Sequence, residues 1–146
     1  MPIVNGCNLP DHLLYDVDNH IWFQEQGDGT VKLGMTAVAT AMAGQLVAFT
    51  PKKVGRAVDA GKSCATVESG KWVGPARSAA AGQVAVVNDA LVADPKLANT
   101  DPYDQGWFIV LRPTDWPAVK AGLTPGAQVT PKYEAKMLAD GFAGCP

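Results

Sequence analysis

At 146 residues, 47% hydrophobic and 18% charged, the chain has the composition of one compact domain. A formal net charge of −2 and a pI near 5.5 lack the electrostatic footprint of a nucleic-acid binder. No apolar run reaches the ~18 residues of a membrane span, and residues 1–11 lack a basic region followed by an apolar core, so a cytoplasmic protein is expected.

Fifteen glycines and eleven prolines point to many turns and short strands. Residues 1–18 hold Gly6 and Pro10 and read as an irregular leader. His20–Gln24 and Thr30–Met35 are strand-like runs around the Gly27-Asp28-Gly29 turn signal, which predicts a β-hairpin. Thr36 then offers an N-cap to an alanine-rich helix that Gly44 ends. Leu46–Thr50, Ser63–Glu68, Trp72–Arg77, Gly82–Val87 and Trp107–Leu111 read as further strands. Residues 94–105 read as a long loop with at most one helical turn. Asp115–Ala121 and Lys132–Ala139 read as helices, the second capped by Thr130 with Pro131 at its first position. Residues 141–146 read as a frayed end. The domain division that follows is a leader over 1–18, a β domain over 19–113 and a helical extension over 114–146 packed on it.

Cys7, Cys64 and Cys145 form neither an even disulfide framework nor a zinc spacing, and His12 and His20 add no metal cluster. Cys64 sits in an apolar strand as an inert core thiol. Cys7 and Cys145 lie near the two chain ends, where a disulfide is geometrically open but disfavoured in a reducing cytosol.

Two stretches repeat at an offset of 38 residues, Gly44-Gln45-Leu46-Val47 and Gly82-Gln83-Val84-Ala85. Two similar strand sets packed face to face would make a flattened barrel or sandwich, with the hairpin Val67-Glu68-Ser69-Gly70-Lys71-Trp72 exposed at one end. By itself a lysine after glycine in such a turn is surface punctuation.

A wider set of residues carries a resemblance: Asn19-His20-Ile21-Trp22, Gly27-Asp28, Val31-Lys32-Leu33-Gly34-Met35-Thr36, Gly44-Gln45-Leu46-Val47, Val67-Glu68-Ser69-Gly70-Lys71, Gly82-Gln83-Val84, Asn99, Asp101-Pro102-Tyr103, Gly106-Trp107 and Leu111-Arg112-Pro113. In order and spacing, from about Tyr15 to Pro113, they resemble the glycine cleavage H protein family of lipoyl carriers. The resemblance implies a mainly β, lipoyl-type barrel-sandwich hybrid, or hammerhead, with short helices. It implies lipoic acid in amide linkage to Lys71, and a carrier rather than an enzyme. Ser69 and Gly70 become hairpin recognition residues, Gly70 keeping the flank small and tolerating positive φ. Glu68 is a ligase contact or a solvated charge. His20 and Trp72 are candidates for a cleft that receives the arm, although a structural His20 bonded to backbone beside Trp22 is the first expectation for that residue.

The chain departs from the family pattern in three places. Ile21 stands where the family has Glu, Gly70 where it has Val, and Trp72 where it has a small residue. Ile21 cannot pair with a cationic amine, which argues against an aminomethyl cargo. Glu68-Ser69-Gly70-Lys71-Trp72-Val73-Gly74-Pro75 is similar to H-like lipoate-binding proteins of the sulfur-oxidising heterodisulfide-reductase-like pathway. The expected partners are therefore a lipoate ligase, dihydrolipoyl dehydrogenase, and either a heterodisulfide-reductase-like complex or the glycine cleavage enzymes, acting on a monomer. An unmodified β-rich binding module is the reading from another class, and biotin is disfavoured because Gly70 and Trp72 replace the methionines that flank a biotinyl lysine.

Overall fold

The computed structural model describes residues 3–145. Strand β1 (Ile3–Val4) pairs with β2 (Cys7–Asn8), and β3 (Leu14–Asp16) follows. The expected hairpin forms from β4 (Ile21–Glu25) and β5 (Val31–Met35), with Asp28 Oδ1 accepting the Thr30 backbone N–H at 3.0 Å across the turn. Helix α1 (Ala37–Ala43) begins where Thr36 Oγ1 accepts the Ala39 N–H at 3.3 Å and stops at Gly44, as the capping signals predict.

Strands β6 (Leu46–Pro51), β7 (Ala57–Val58), β8 (Lys62–Ser69), β9 (Val73–Ser78) and β10 (Gly82–Val87) follow in turn. Two short helices precede β11 (Ile109–Pro113): α2 (Asp89–Ala93), just ahead of the expected loop, and α3 (Leu97–Thr100), the one helical turn within it. Helix α4 (Trp116–Gly122), β12 (Thr124–Pro125), one 3₁₀ turn and α5 (Val129–Ala139) complete the described chain.

One sheet runs β12-β3-β4-β5-β11-β10-β7 and the other β6-β8-β9. Their inner faces share one core, with Phe23, Leu33, Val84 and Leu111 from the large sheet against Leu46, Phe49, Val67 and Ala76 from the small one. Phe49 meets Phe108 at 4.7 Å between ring centroids, at a tilt of 52°. The 38-residue repeat reappears in the backbone. The β6–β8 register shifts between Leu46 and Ala48, and the β10–β11 register shifts between Val84 and Val86, at the same offset and one in each sheet.

A second core cluster explains both chain ends. Val4, Cys7, Leu9, Leu13, Tyr15 and Trp22 pack with Val38 of α1 and with Val129, Tyr133 and Met137 of α5. The last three recur at four-residue spacing and so share one helix face. Residues 3–18 are thus not an irregular leader: they hold three strands, one of which extends the main sheet. Helix α5 begins at Val129 after the 3₁₀ turn, without the expected Thr130 side-chain cap. Nor is the end frayed within the described residues. Cys145 is joined to Cys7 by a disulfide and donates its backbone N–H to the Asn5 carbonyl at 2.9 Å. That pairing corrects the expectation drawn from compartment alone, because the second core brings the two cysteine Cα atoms to 5.0 Å.

Candidate functional site

Strands β8 and β9 are joined by Gly70, Lys71 and Trp72. Ser69 donates its backbone N–H to the Trp72 carbonyl at 2.7 Å, and its hydroxyl oxygen accepts the Lys71 N–H at 3.3 Å. Ser69 is itself buried, so it builds the turn from inside and presents nothing outward. Gly70 has open space around it and no left-handed φ, which corrects the expectation that its backbone freedom is needed. Glu68 and Lys71 are exposed, and among the described residues Glu68 has no side-chain hydrogen bond or ion pair, as a solvated charge would be. The Trp72 ring lies across Gly74 and remains 40% exposed.

The small sheet places this turn beside the end of α1, because Ser69 is the register partner of Leu46. Gly44 has φ 85° and ψ −175°, a conformation nearly reserved for glycine. A Cβ there would lie 3.3 Å from Lys71 Cε, so the lysine stem rests over the bare glycine. Asn99 pins this segment. Its Oδ1 accepts the Leu46 N–H at 2.9 Å, and its Nδ2 donates to the Gly44 carbonyl at 2.9 Å, satisfying a group that the helix end leaves unpaired. Asn99 is legible in the sequence only as one residue of a family pattern, since an asparagine in a short α3 carries no sign of a partner more than fifty positions away.

Next to Lys71 opens a cleft of about 520 Å³ whose apolar wall includes Ile21, Met35, Ala39, Met42 and Trp72. His20 lines it as well. Its backbone is left-handed at φ 57°, and its ring stacks on Tyr133 at 5.7 Å between centroids. His20 Nδ1 is 3.2 Å from the Tyr133 hydroxyl and Nε2 is 3.7 Å from Asp140 Oδ2. The imidazole is therefore held by side chains of the C-terminal helix and the residue after it, not by backbone as expected, and it is at once structural and cleft-lining. Burial first, and the nearby Lys136 ammonium second, hold its pKa below the ordinary histidine value against the opposing pull of Asp140 and Asp16. Tyr133 and Asp140 escaped sequence reasoning because nothing local ties the C-terminal helix to residue 20.

An exposed primary amine on a stapled turn, next to an apolar cleft, fits a flexible acyl-linked group better than a catalytic centre. Among the described residues no group of three or more His, Cys, Asp or Glu side chains is placed to hold a metal ion. No described helix is long and apolar enough to cross a membrane.

Comparison with known proteins agrees with this geometry. The family model described as glycine cleavage H-protein matches residues 13–136. Glycine cleavage system H protein 5 of Aquifex aeolicus (strain VF5) is 52% identical over 119 residues, covering 79% of this chain and 80% of that protein. The glycine cleavage system H protein of Cronobacter sakazakii (strain ATCC BAA-894) is 36% identical over 128 residues, covering 88% and 95%. The crystal structure of a glycine cleavage system H protein from Mycobacterium marinum superposes with a TM-score of 0.74 at 34% identity, covering 84% of this chain and 97% of that one. The chain therefore belongs to the glycine cleavage H-protein family, whose members are carriers, not catalysts, and bear a lipoyl group on a lysine.

Proposed function

We propose that Lys71 is the lipoyl attachment site and that the chain shuttles an intermediate between enzymes, served by a lipoate ligase and dihydrolipoyl dehydrogenase. The observation that carries this is the exposed Lys71 amine on a short hydrogen-bonded turn, with its stem lying on Gly44 at the mouth of an apolar cleft. When bound, a lipoyl group supplies a dithiolane that accepts electrons or a transferred group by thiol–disulfide exchange. Ser69 fixes the direction in which Lys71 leaves the turn. Ile21, Met35, Met42 and Trp72 offer a wall that excludes water, and His20 stands in it as a neutral imidazole able to hold a proton at Nε2 or Nδ1. Acylation removes the Lys71 charge and lengthens its reach.

For the cargo, the relatives' names support glycine cleavage, with an aminomethyl group passed among the glycine cleavage enzymes. A second reading rests on the lining. Ile21, fully buried, occupies the position where the family has a carboxylate, and the exposed Asp18 at the rim is the one carboxylate among the lining residues, with Arg77 also present. A neutral or anionic cargo suits this wall better than an ammonium, which favours sulfur-bound intermediates handed to a heterodisulfide-reductase-like complex. Intact mass after co-expression with a lipoate ligase tests the attachment, with Lys71→Arg as control. If wild-type protein gains no lipoyl mass where a known H protein does, the carrier assignment fails. Glycine-dependent aminomethyl loading of the lipoylated chain by the decarboxylase would establish the first cargo and remove the second.

A further inference from the structure

Helix α1 divides the surface beside Lys71 into two clefts. Ala39, Met42 and Ala43 face the one already described. Ala37, Thr40, Ala41 and Gly44, spaced three and four apart on another face, line a second cleft of about 540 Å³. Cys7 and Cys145, joined as a disulfide, form part of its wall. Gly44 belongs to this second cleft, and the Lys71 stem, which lines the first, lies on Gly44, so one glycine separates the lysine from the second cleft. At the opposite end of α1, Cys145 Sγ is 3.7 Å from the Ala37 carbonyl oxygen. Seven residues of helix at about 1.5 Å each separate the two ends by roughly 10 Å, comparable with the reach of an octanoyl-length chain. Cys7 is fully buried whereas Cys145 is only partly so, which leaves Cys145 as the sulfur open to approach.

Resting on the assignment of a lipoyl group to Lys71, we propose that the Cys7–Cys145 disulfide is a built-in two-electron acceptor for the reduced group on that lysine, reached through the second cleft. The bond that breaks is the cysteine S–S bond. Cys7 and Cys145 each take up one electron and one proton. Both electrons and both protons would come from the 1,3-dithiol borne by Lys71, whose two sulfurs would join to each other, so no further oxidant is consumed. The exchange needs a thiolate and access to a disulfide sulfur, and the cleft supplies the access. Cys64 takes no part: it is fully buried, and burial pushes its thiol up to about 12.

The test uses the full-length lipoylated chain, its lipoyl mass verified first. The protein is reduced with NADH and a trace of dihydrolipoyl dehydrogenase, trapped with excess N-ethylmaleimide in denaturant so that the buried Cys7 is also reached, and analysed by peptide mass spectrometry. Alkylated Cys7 and Cys145 are expected to appear at least about tenfold faster than in Lys71→Arg, at a rate unchanged by dilution, as for a tethered reactant. Two results overturn the proposal: labelling of the Lys71 group while Cys7 and Cys145 stay joined, or equal labelling of the cysteines in Lys71→Arg. Absence of lipoyl mass before the redox step would instead bring down the attachment assignment, and this proposal with it. In the Cys7→Ser/Cys145→Ser double variant, the dithiol on Lys71 is expected to persist where the wild-type protein reoxidises it.

Discussion

Replacing Cys145 with serine removes a cross-link that spans 138 residues of a 146-residue chain. In the chain-entropy account, closing a loop of that length in the unfolded state is worth about 5 kcal/mol at 25 °C. That figure is a ceiling, because residual order in the unfolded chain and altered solvation reduce it. For a domain of this size, 5 kcal/mol corresponds to a fall in Tm of roughly 15 °C. The native fold also loses the anchor that draws residue 145 onto the Asn5 carbonyl, next to the core formed by Val4, Tyr133 and Met137. Urea titrations with and without a phosphine reductant check this. Oxidised wild-type protein should unfold at a clearly higher midpoint than Cys145→Ser, the reductant should bring the wild-type midpoint down to that of the variant, and the variant itself should not respond. If oxidised wild-type and variant midpoints coincide, the disulfide does not tie the chain ends in the way the second core implies.

Three further outcomes follow from the site. His20 has a folded-state pKa below its ordinary value of about 6.5, so the unfolded chain binds a proton that the folded chain refuses. Stability should therefore be complete above about pH 6.5 and decline as the pH falls through that value, and His20→Asn, which tolerates left-handed backbone, should flatten this slope in urea midpoints measured from pH 7.5 to 5. Gly44→Ala places a Cβ 3.3 Å from Lys71 Cε and forces alanine into a glycine conformation, at a cost of about 1–3 kcal/mol by urea titration; its initial lipoylation rate should fall as the lysine stem is displaced. Asn99→Ala orphans the Leu46 N–H and the Gly44 carbonyl, costing about 1–3 kcal/mol, and hydrogen exchange at the Leu46 amide should accelerate while the Phe23 amide in the large sheet stays protected.

Elements with a dense local signal were legible before any coordinates. Gly27-Asp28-Gly29 forecast a hairpin, Thr36 and Gly44 bracketed a helix, and both forms emerge within a residue or two of the expected bounds. The turn that holds Lys71 was equally visible, since Ser69 and Gly70 interrupt two β-prone runs. What stayed hidden depends on contacts across the chain. Strands β3 and β12 are three and two residues long, too short for period-two alternation to register, and they exist because β3 pairs with β4 and β12 with β3. The wall around His20 needs Tyr133 and Asp140, more than one hundred positions away. The cysteine pairing was judged from cellular compartment, a prior that carries no information about which Cα atoms the packing of Tyr15, Trp22 and Tyr133 brings together.

The 38-residue repeat sharpens how such a chain can present one lysine only. Both copies begin with Gly-Gln and enter a bulged strand, but the two glycines are needed for different reasons. Gly44 is left-handed, ends α1, and leaves room for the Lys71 stem above it. Gly82 is not left-handed; a Cβ on it would press into the Arg112 backbone and lie 2.9 Å from Pro113 Cα, so its role is close pairing of β10 with β11. The first copy thus leads from a helix end into a strand that flanks the lysine turn, whereas the second is sealed between β11 and β7 inside the large sheet. Exchanging these contexts would bury the tip or unpair the sheet. The duplicated strand pattern therefore supplies one bulged strand to each sheet, and it is α1, the left-handed backbone of Gly44 and the Asn99 contacts, without counterparts in the second copy, that make one end a place from which a lysine reaches out.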